Sequence, residues 1–190
     1  MKTIRFEISP WLWLLGALAL LIVPLPWLQA GITAAAVHEL SHVLTIYLLG
    51  GRISSIRLNP GGARIMVTGL SYGREILAAF AGPAGSLMLL LSGESRLAIC
   101  GLTQGLFNLL PVYPMDGGRI LYCLTALFFT PETGERIRTD SVLLTAGVLL
   151  GCGIYCSVIR RFGPIPIVLA LLILIKAEKT SCKEGLKAVQ

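Results

Sequence analysis

Few residues of this chain could do chemistry, and three of them lie within five consecutive positions. The 190-residue sequence has two histidines, His38 and His42, and Glu39 directly follows the first of them. On a helix, residues four positions apart lie on one face, so both imidazoles can bind one Zn²⁺. Glu39 projects from the adjoining face, where its carboxylate can accept a proton from the attacking water without being a ligand. This H-E-x-x-H pattern predicts a hydrolytic zinc site.

A carboxylate in a distant apolar stretch is the predicted third ligand of the metal. Asp116 lies 74 positions after His42 (116 − 42), behind Pro111 and Pro114 and directly before two glycines. Such a segment cannot be a regular helix, and non-helical backbone at membrane depth must be buried in protein or line a wet cavity. Two histidines and one aspartate leave a fourth zinc position for water. The alternative is a metal-free cluster of hydrogen-bonded side chains.

The composition indicates that these residues belong to a membrane protein. The chain is 55% hydrophobic and 14% charged, with a mean hydropathy of +0.79. Uncharged stretches of about 18 or more residues are typical of membrane helices. The net charge of +6 does not indicate nucleic-acid binding, because the basic residues flank these stretches, where they set topology. We expect one integral membrane domain over residues 1–190, without an added soluble domain.

The apolar stretches predict an all-α polytopic membrane protein with about six transmembrane helices, the fourth of them broken before Asp116. They cover about residues 11–30, 32–49, 76–91, 97–129, 141–159 and 163–175. A retained first helix is favoured over a cleaved signal peptide, because its apolar run exceeds the usual h-region. The even count and the basic ends place both termini in the cytosol. Arg160 and Arg161 would then face outward, for which we have no physical account.

The predicted loops differ in kind. Residues 51–73 contain two β-prone runs around an N-P-G-G turn, which predicts a short β-hairpin after the second helix. The hairpin is either a covered connector or an exposed edge that pairs with an extended substrate. Residues 132–140 form a charged loop between the fourth and fifth helices. In the third span, the Gly82-Pro83-Ala84-Gly85 run predicts close packing against the histidine-bearing helix and a kink at the proline.

The two motifs together resemble the site-2 protease family of intramembrane zinc metalloproteases, peptidase family M50. The H-E-x-x-H pattern is followed by the N-x-x-P-x-x-P-x-D-G form typical of the sporulation branch of that family. The latter reads Asn108-x-x-Pro111-x-x-Pro114-x-Asp116-Gly117 in this sequence. The motifs cover about fifteen residues, and the layout of the spans extends the resemblance along the chain.

The resemblance implies a role for each motif residue. His38, His42 and Asp116 would be the ligands of one Zn²⁺ per chain, and Glu39 would be the catalytic base. Asn108 would lie near the metal and hold the substrate or polarise its carbonyl group. Members of this branch often carry a C-terminal CBS domain and others an inserted PDZ domain; we expect neither.

By the same resemblance, the protein is a multi-pass zinc metalloendopeptidase of the cell membrane. It would cleave a membrane-embedded or membrane-associated protein near the cytosolic face, typically a sigma-factor precursor or an anti-sigma factor. Its partners would be the bilayer, that substrate and regulatory membrane proteins, without nucleic acid. A non-catalytic metal-binding scaffold and a small metal transporter are the alternatives. The intact Glu39 argues against the first, and the lack of internal repeats argues against the second.

Overall fold

The computed structural model describes residues 5–59, 62–112 and 115–158, most of which are helical. Its elements in chain order are β1 (Arg5–Ile8), α1 (Pro10–Ile22), α2 (Leu25–Leu48), β2 (Arg52–Asn59), β3 (Gly62–Thr68), α3 (Tyr72–Met88), α4 (Ser95–Asn108), α5 (Asp116–Phe128) and α6 (Pro131–Val158). A 3₁₀ turn, Leu89–Ser92, extends α3. The chain divides into two compact units, Met1–Leu109 and Leu110–Gln190. The predicted sixth span and the pair Arg160-Arg161 lie outside the described residues.

The predicted boundary between the first two helices is wrong, and Pro24 explains the error. The chain leaves the helical conformation at Val23, where φ is −96° and ψ is 128°, rather than near residue 31. A residue that precedes a proline is pushed out of the α region by the proline ring. Pro26 is tolerated because it lies in the first turn of α2, where a backbone N–H has no helical partner. The histidines therefore lie on a 24-residue helix.

A three-stranded sheet lies beside the helices of the first unit, with β2 between β1 and β3. β2 and β3 pair antiparallel, in a register that runs from Arg52↔Thr68 to Asn59↔Gly62. β1 was not predicted. It pairs parallel with β2, and α1 and α2 supply the long crossover that a parallel pair requires. The outer edges of the sheet therefore belong to β1 and β3.

Small residues let α2, α3 and α4 approach one another closely. The buried positions of α2 recur every fourth residue and are mostly small or polar: Ala30, Ala34, His38, His42 and Ile46. Those of α3 are Ala78, Ala79, Gly82, Pro83, Gly85 and Ser86. A Cβ atom at Gly105 of α4 would lie 3.2 Å from the carbonyl oxygen of Pro83. The predicted packing of the Gly-Pro-Ala-Gly run against α2 is confirmed.

Within the described residues, one helical stretch is long and apolar enough to cross a membrane by length and composition, Tyr72–Ser92. The apolar helices Pro10–Ile22 and Asp140–Gly151 are shorter. The predicted count of six spans stays a prediction.

The second unit corrects another predicted loop. α6 begins at Pro131 and runs for 28 residues, so residues 132–140 are helical rather than a charged loop. Proline suits a first helical position, and Glu132 in the first turn interacts favourably with the helix dipole. The predicted interruption of the fourth helix is present. α4 ends at Asn108 and α5 begins at Asp116.

Candidate metal centre

The two histidines of α2 bring their Nε2 atoms together inside the first unit. These nitrogens are 3.2 Å apart, and both side chains are buried. The rings are nearly perpendicular, with an interplanar angle of 86° and centroids 4.8 Å apart. One turn of helix separates the residues, and this spacing produces the convergence that the H-E-x-x-H pattern predicts.

The other ring nitrogen of each histidine, Nδ1, is within hydrogen-bond distance of a group on α3. Nδ1 of His42 lies 2.7 Å from the carbonyl oxygen of Ala78, and Nδ1 of His38 lies 2.9 Å from Oγ of Ser86. A carbonyl oxygen only accepts, so the proton of a neutral His42 resides on Nδ1. Its Nε2 then carries the lone pair that a metal requires. Because the two contacts run in opposite order along the chain, α3 lies antiparallel to α2 and supports both rings.

The geometry of the two histidines agrees with that of a zinc site. Zinc binds imidazole nitrogens at about 2.0–2.1 Å in tetrahedral geometry, so two nitrogens on one ion are roughly 3.3 Å apart. The observed 3.2 Å separation of the Nε2 atoms agrees with that distance. Metal-ligating histidines almost always donate their other N–H to a protein group, as the Nδ1 contacts with α3 allow. The donor set therefore suits a transition metal such as zinc.

Two glycines of α3 make room for these side chains. A Cβ atom built on Gly82 would overlap Nε2, Cε1 and Cδ2 of the His42 ring. One built on Gly85 would overlap Oγ of Ser41, the hydroxyl that donates to the carbonyl of Val37. Glycine at both positions is therefore a steric requirement of the site.

Glu39 is held by the hairpin. Its Oε1 accepts a hydrogen bond of 3.0 Å from the backbone N–H of Ala63, the second residue of β3. Ala63 lies opposite Leu58 of β2, yet its N–H is directed to Glu39 instead of to the ladder. In an antiparallel pair, such a residue has its N–H on the outer side of the strand. The side chain of Glu39 is therefore bonded to the outer edge of the sheet.

Asn108 is engaged within its own helix. Its Nδ2 donates to the carbonyl oxygen of Gln104, one turn earlier in α4, at 3.1 Å. The side chain is half-buried. Its predicted role toward a substrate stays a prediction.

In the second unit, Asp116 is the first residue of α5, and its side chain is buried. A carboxylate at a helix N-terminus interacts favourably with the helix dipole, which helps to offset the cost of its burial. The segment before it is held by its own contacts. Met115 N donates to the carbonyl of Val112 at 2.8 Å, and Oγ of Ser141 on α6 donates to the carbonyl of Pro111 at 2.7 Å.

The sequence reasoning missed three groups that hold the predicted site residues. They are the hydroxyl of Ser86, the carbonyl of Ala78 and the amide of Ala63. Ser86 gave a usable signal, because a hydroxyl in an apolar span needs a hydrogen-bond partner. The two backbone groups gave none, since every non-proline residue carries both an N–H and a carbonyl.

Known proteins are similar in sequence to large parts of this chain. Stage IV sporulation protein FB of Bacillus subtilis strain 168 is 25% identical over 167 residues, which are 78% of this chain and 57% of that protein. A zinc metalloprotease of Methanocaldococcus jannaschii is 32% identical over 104 residues, 46% of this chain and 31% of that protein. The chain thus spans roughly a third to somewhat over half the length of these relatives.

A solved structure shares the fold. The site-2 protease from Methanocaldococcus jannaschii matches with a TM-score of 0.66 and 24% identity, over 95% of this chain and 93% of that chain. Residues 11–110, more than half of the sequence, match the family described as Peptidase M50B-like. The chain therefore belongs to the M50B-like peptidases, and it shares the fold of that site-2 protease.

Proposed function

We propose that this protein is an intramembrane zinc metallopeptidase that hydrolyses a peptide bond of a membrane-embedded or membrane-associated protein. The observation that carries the proposal is the pair of Nε2 atoms 3.2 Å apart, with both Nδ1 atoms bonded to α3. One of the relatives is described as a zinc metalloprotease.

His38, His42 and Asp116 are the proposed zinc ligands, one ion per chain. All three are buried, and two imidazoles with one carboxylate form the donor set of a catalytic site that keeps a position open for water. When bound, zinc polarises a carbonyl oxygen and lowers the pKa of bound water to about 7. The protein must also exclude bulk water from these side chains, which their burial favours.

Glu39 is the proposed general base. A carboxylate oxygen of Glu39 accepts the proton of the attacking water and later delivers it to the nitrogen of the leaving amine. The N–H of Ala63 fixes Oε1, and with it the direction of the carboxylate. Because Glu39 is one residue after His38, helix α2 sets the position of base and ligand together.

The substrate segment must be extended when it is cut. In a helix every carbonyl is hydrogen-bonded to the fourth residue on, so the scissile bond is exposed only after unwinding. We propose that the outer edge of β3 pairs with the unwound segment by strand addition. Asn108 is the proposed side chain that holds the substrate carbonyl. The contact between Ala63 and Glu39 supports this role, because it joins that edge to the base.

The distribution of apolar side chains supports a membrane location. Large apolar residues such as Leu21, Leu48 and Leu91 are exposed along α1, α2 and the end of α3. The buried faces of α2 and α3 are composed mainly of small residues and histidines. Exposed apolar surface of this extent requires a covering, and lipid provides it. We propose a multi-pass protein of the cell membrane with both termini in the cytosol.

The finer assignment concerns the pathway. We propose regulated intramembrane proteolysis of a sigma-factor precursor or an anti-sigma factor, assisted by regulatory membrane proteins. The relative described as a stage IV sporulation protein supports this choice. The assignment of residues 1–190 to a single catalytic domain stays a prediction.

Substitution of Glu39 tests the mechanism. We expect Glu39→Gln in the detergent-solubilised full chain to keep one zinc per chain, because the residue is not a proposed ligand. Cleavage of fluorescein-labelled casein, and of a panel of extended transmembrane peptides, should fall by about 10²-fold or more, the usual size of a general-base contribution. The exposed Glu132 of α6 supplies the matched control, and Glu132→Gln should behave like the parent. Undiminished cleavage by Glu39→Gln would refute the mechanism.

Elemental analysis tests the ligand set in the same preparations. Asp116→Ala should lose bound zinc, whereas Asp140→Ala, an exposed aspartate of α6, should retain it. Full zinc occupancy in Asp116→Ala would remove Asp116 from the ligand set. A parent protein without zinc would instead indicate a metal-free pair, in which one Nε2–H donates to the other Nε2.

A further inference from the structure

We propose that Ser86 is a positioning residue that fixes the ring of His38 for metal binding. The inference rests on the zinc site of the proposed function and assigns a role to a residue outside both motifs. Its basis is a hydrogen bond between α3 and α2, which joins the Ser86 hydroxyl to the imidazole of His38.

The environment of Ser86 makes this hydrogen bond costly to lose. The residue is 0% exposed, and its Oγ lies 2.9 Å from Nδ1 of His38. A buried nitrogen deprived of its partner carries a desolvation cost, because water cannot replace the serine. The contact is made by a side chain of α3, whereas the contact of α3 with His42 is made by a backbone carbonyl.

The bond is compatible with the form of the imidazole that binds a metal, since a hydroxyl can either donate or accept. Nε2 of His38 can bind a metal only when it carries no proton, so a neutral ring must hold its proton on Nδ1. The Ser86 oxygen can accept that proton's hydrogen bond. In that arrangement Nε2 keeps its lone pair, and the contact restricts rotation of the ring about its side-chain bonds.

The backbone around Ser86 holds the hydroxyl in place. A Cβ atom on Gly101 of α4 would overlap the carbonyl oxygen of Ser86, so α4 contacts α3 at this residue. On the opposite side, Gly85 lies against Ser41 of α2. Because both neighbouring helices pack here, the hydroxyl has little freedom to move away from His38, as the support of a metal ligand requires.

The first test is the zinc affinity of Ser86→Ala, measured on the detergent-solubilised full chain by competition with a chelator of known affinity. Loss of such a supporting hydrogen bond typically weakens metal binding about 10- to 100-fold. We expect a loss of this size for Ser86→Ala. Ser41→Ala is the matched control, because it removes a hydroxyl from the same helix contact but one that donates to Val37. It should bind zinc as tightly as the parent.

A second pair of variants separates the hydroxyl from packing. Ser86→Thr and Ser86→Val have the same shape, so any strain of the added carbon atoms is shared by both. We expect Ser86→Thr to bind zinc at least about tenfold more tightly than Ser86→Val. Equal affinities within this pair, or parent affinity in Ser86→Ala, would overturn the role of Ser86. Absence of zinc from the parent would instead overturn the proposed function, so the two failures are distinguishable.

Discussion

At the metal centre, a single carbon atom decides whether His42 has room for its ring. The imidazole occupies the space where any residue other than glycine at position 82 would place its Cβ. The neighbouring atoms belong to a ring that Ala78 already holds through Nδ1, so the ring cannot rotate away without losing that bond. Residue 82 therefore determines the geometry of the site without touching a metal.

Gly82→Ala should abolish zinc binding while the protein is still produced in membranes. The added methyl displaces the His42 ring, and overpacking of this kind typically costs about 1–3 kcal/mol of stability. Gly31→Ala on α2 is the control, because a Cβ there meets no atom within 4 Å. Zinc per chain, determined by elemental analysis, checks the prediction. Parent zinc content in Gly82→Ala would show that the ring can shift and still bind.

The elements differ in how far the sequence predicted them. The interruption before Asp116 is confirmed because prolines and glycines exclude a helix for local reasons. The boundary near residue 31 was wrong because the apolar run continues past Pro24, and hydropathy alone does not register a break. β1 was not predicted. Its four residues form a strand because they pair with β2, which lies about fifty positions away in sequence.

The hairpin contributes to the site through one amide, which proline can remove. Ala63→Pro deletes the N–H that Oε1 of Glu39 accepts, and the ladder with β2 loses no bond because that N–H points outward. A hydrogen bond to a charged group contributes about 1.5–3 kcal/mol, so we expect cleavage to fall about tenfold or more. Zinc content should not change. Ala63→Ser keeps the amide and should cleave casein like the parent.

Steady-state kinetics on casein distinguish this positioning role from a purely structural one. If Glu39 loses its support, kcat falls while the bound zinc stays at one per chain. Parent kcat in Ala63→Pro would show that the amide is dispensable, and loss of zinc would show that the substitution distorts α2 instead.

At the scale of the whole molecule, the described helices bury mainly small residues and expose many large apolar side chains. Buried positions hold glycine, alanine, serine and histidine, whereas leucine, phenylalanine and tryptophan are exposed. If lipid covers the exposed side chains, such helices gain little from burying apolar surface against each other, and close packing and hydrogen bonds hold them together. The two histidines can therefore be buried, and Glu39 half-buried, next to partners on neighbouring elements.

A charge at two exposed apolar positions should lower the membrane yield of the protein at one of them and not at the other. Phe80 of α3 is 49% exposed and Met66 of β3 is 56% exposed. If lipid covers α3, Phe80→Asp places a charge near the centre of the span, at a cost of about 2.5–3.5 kcal/mol for insertion. Met66→Asp lies on the sheet and should be tolerated. Membrane fractionation and detergent-extracted yield measure both variants, and equal yields would contradict lipid contact at Phe80.

The sequence by itself determined the convergence of the two histidines and the resemblance to the family. Histidines four residues apart converge on any regular helix, so His38 and His42 needed no tertiary information. The tertiary structure decided which groups hold them. Ser86, the Ala78 carbonyl and the Ala63 amide lie between 24 and 48 positions from their partners along the chain. Local patterns cannot reveal such contacts, because helix packing and strand register bring them about.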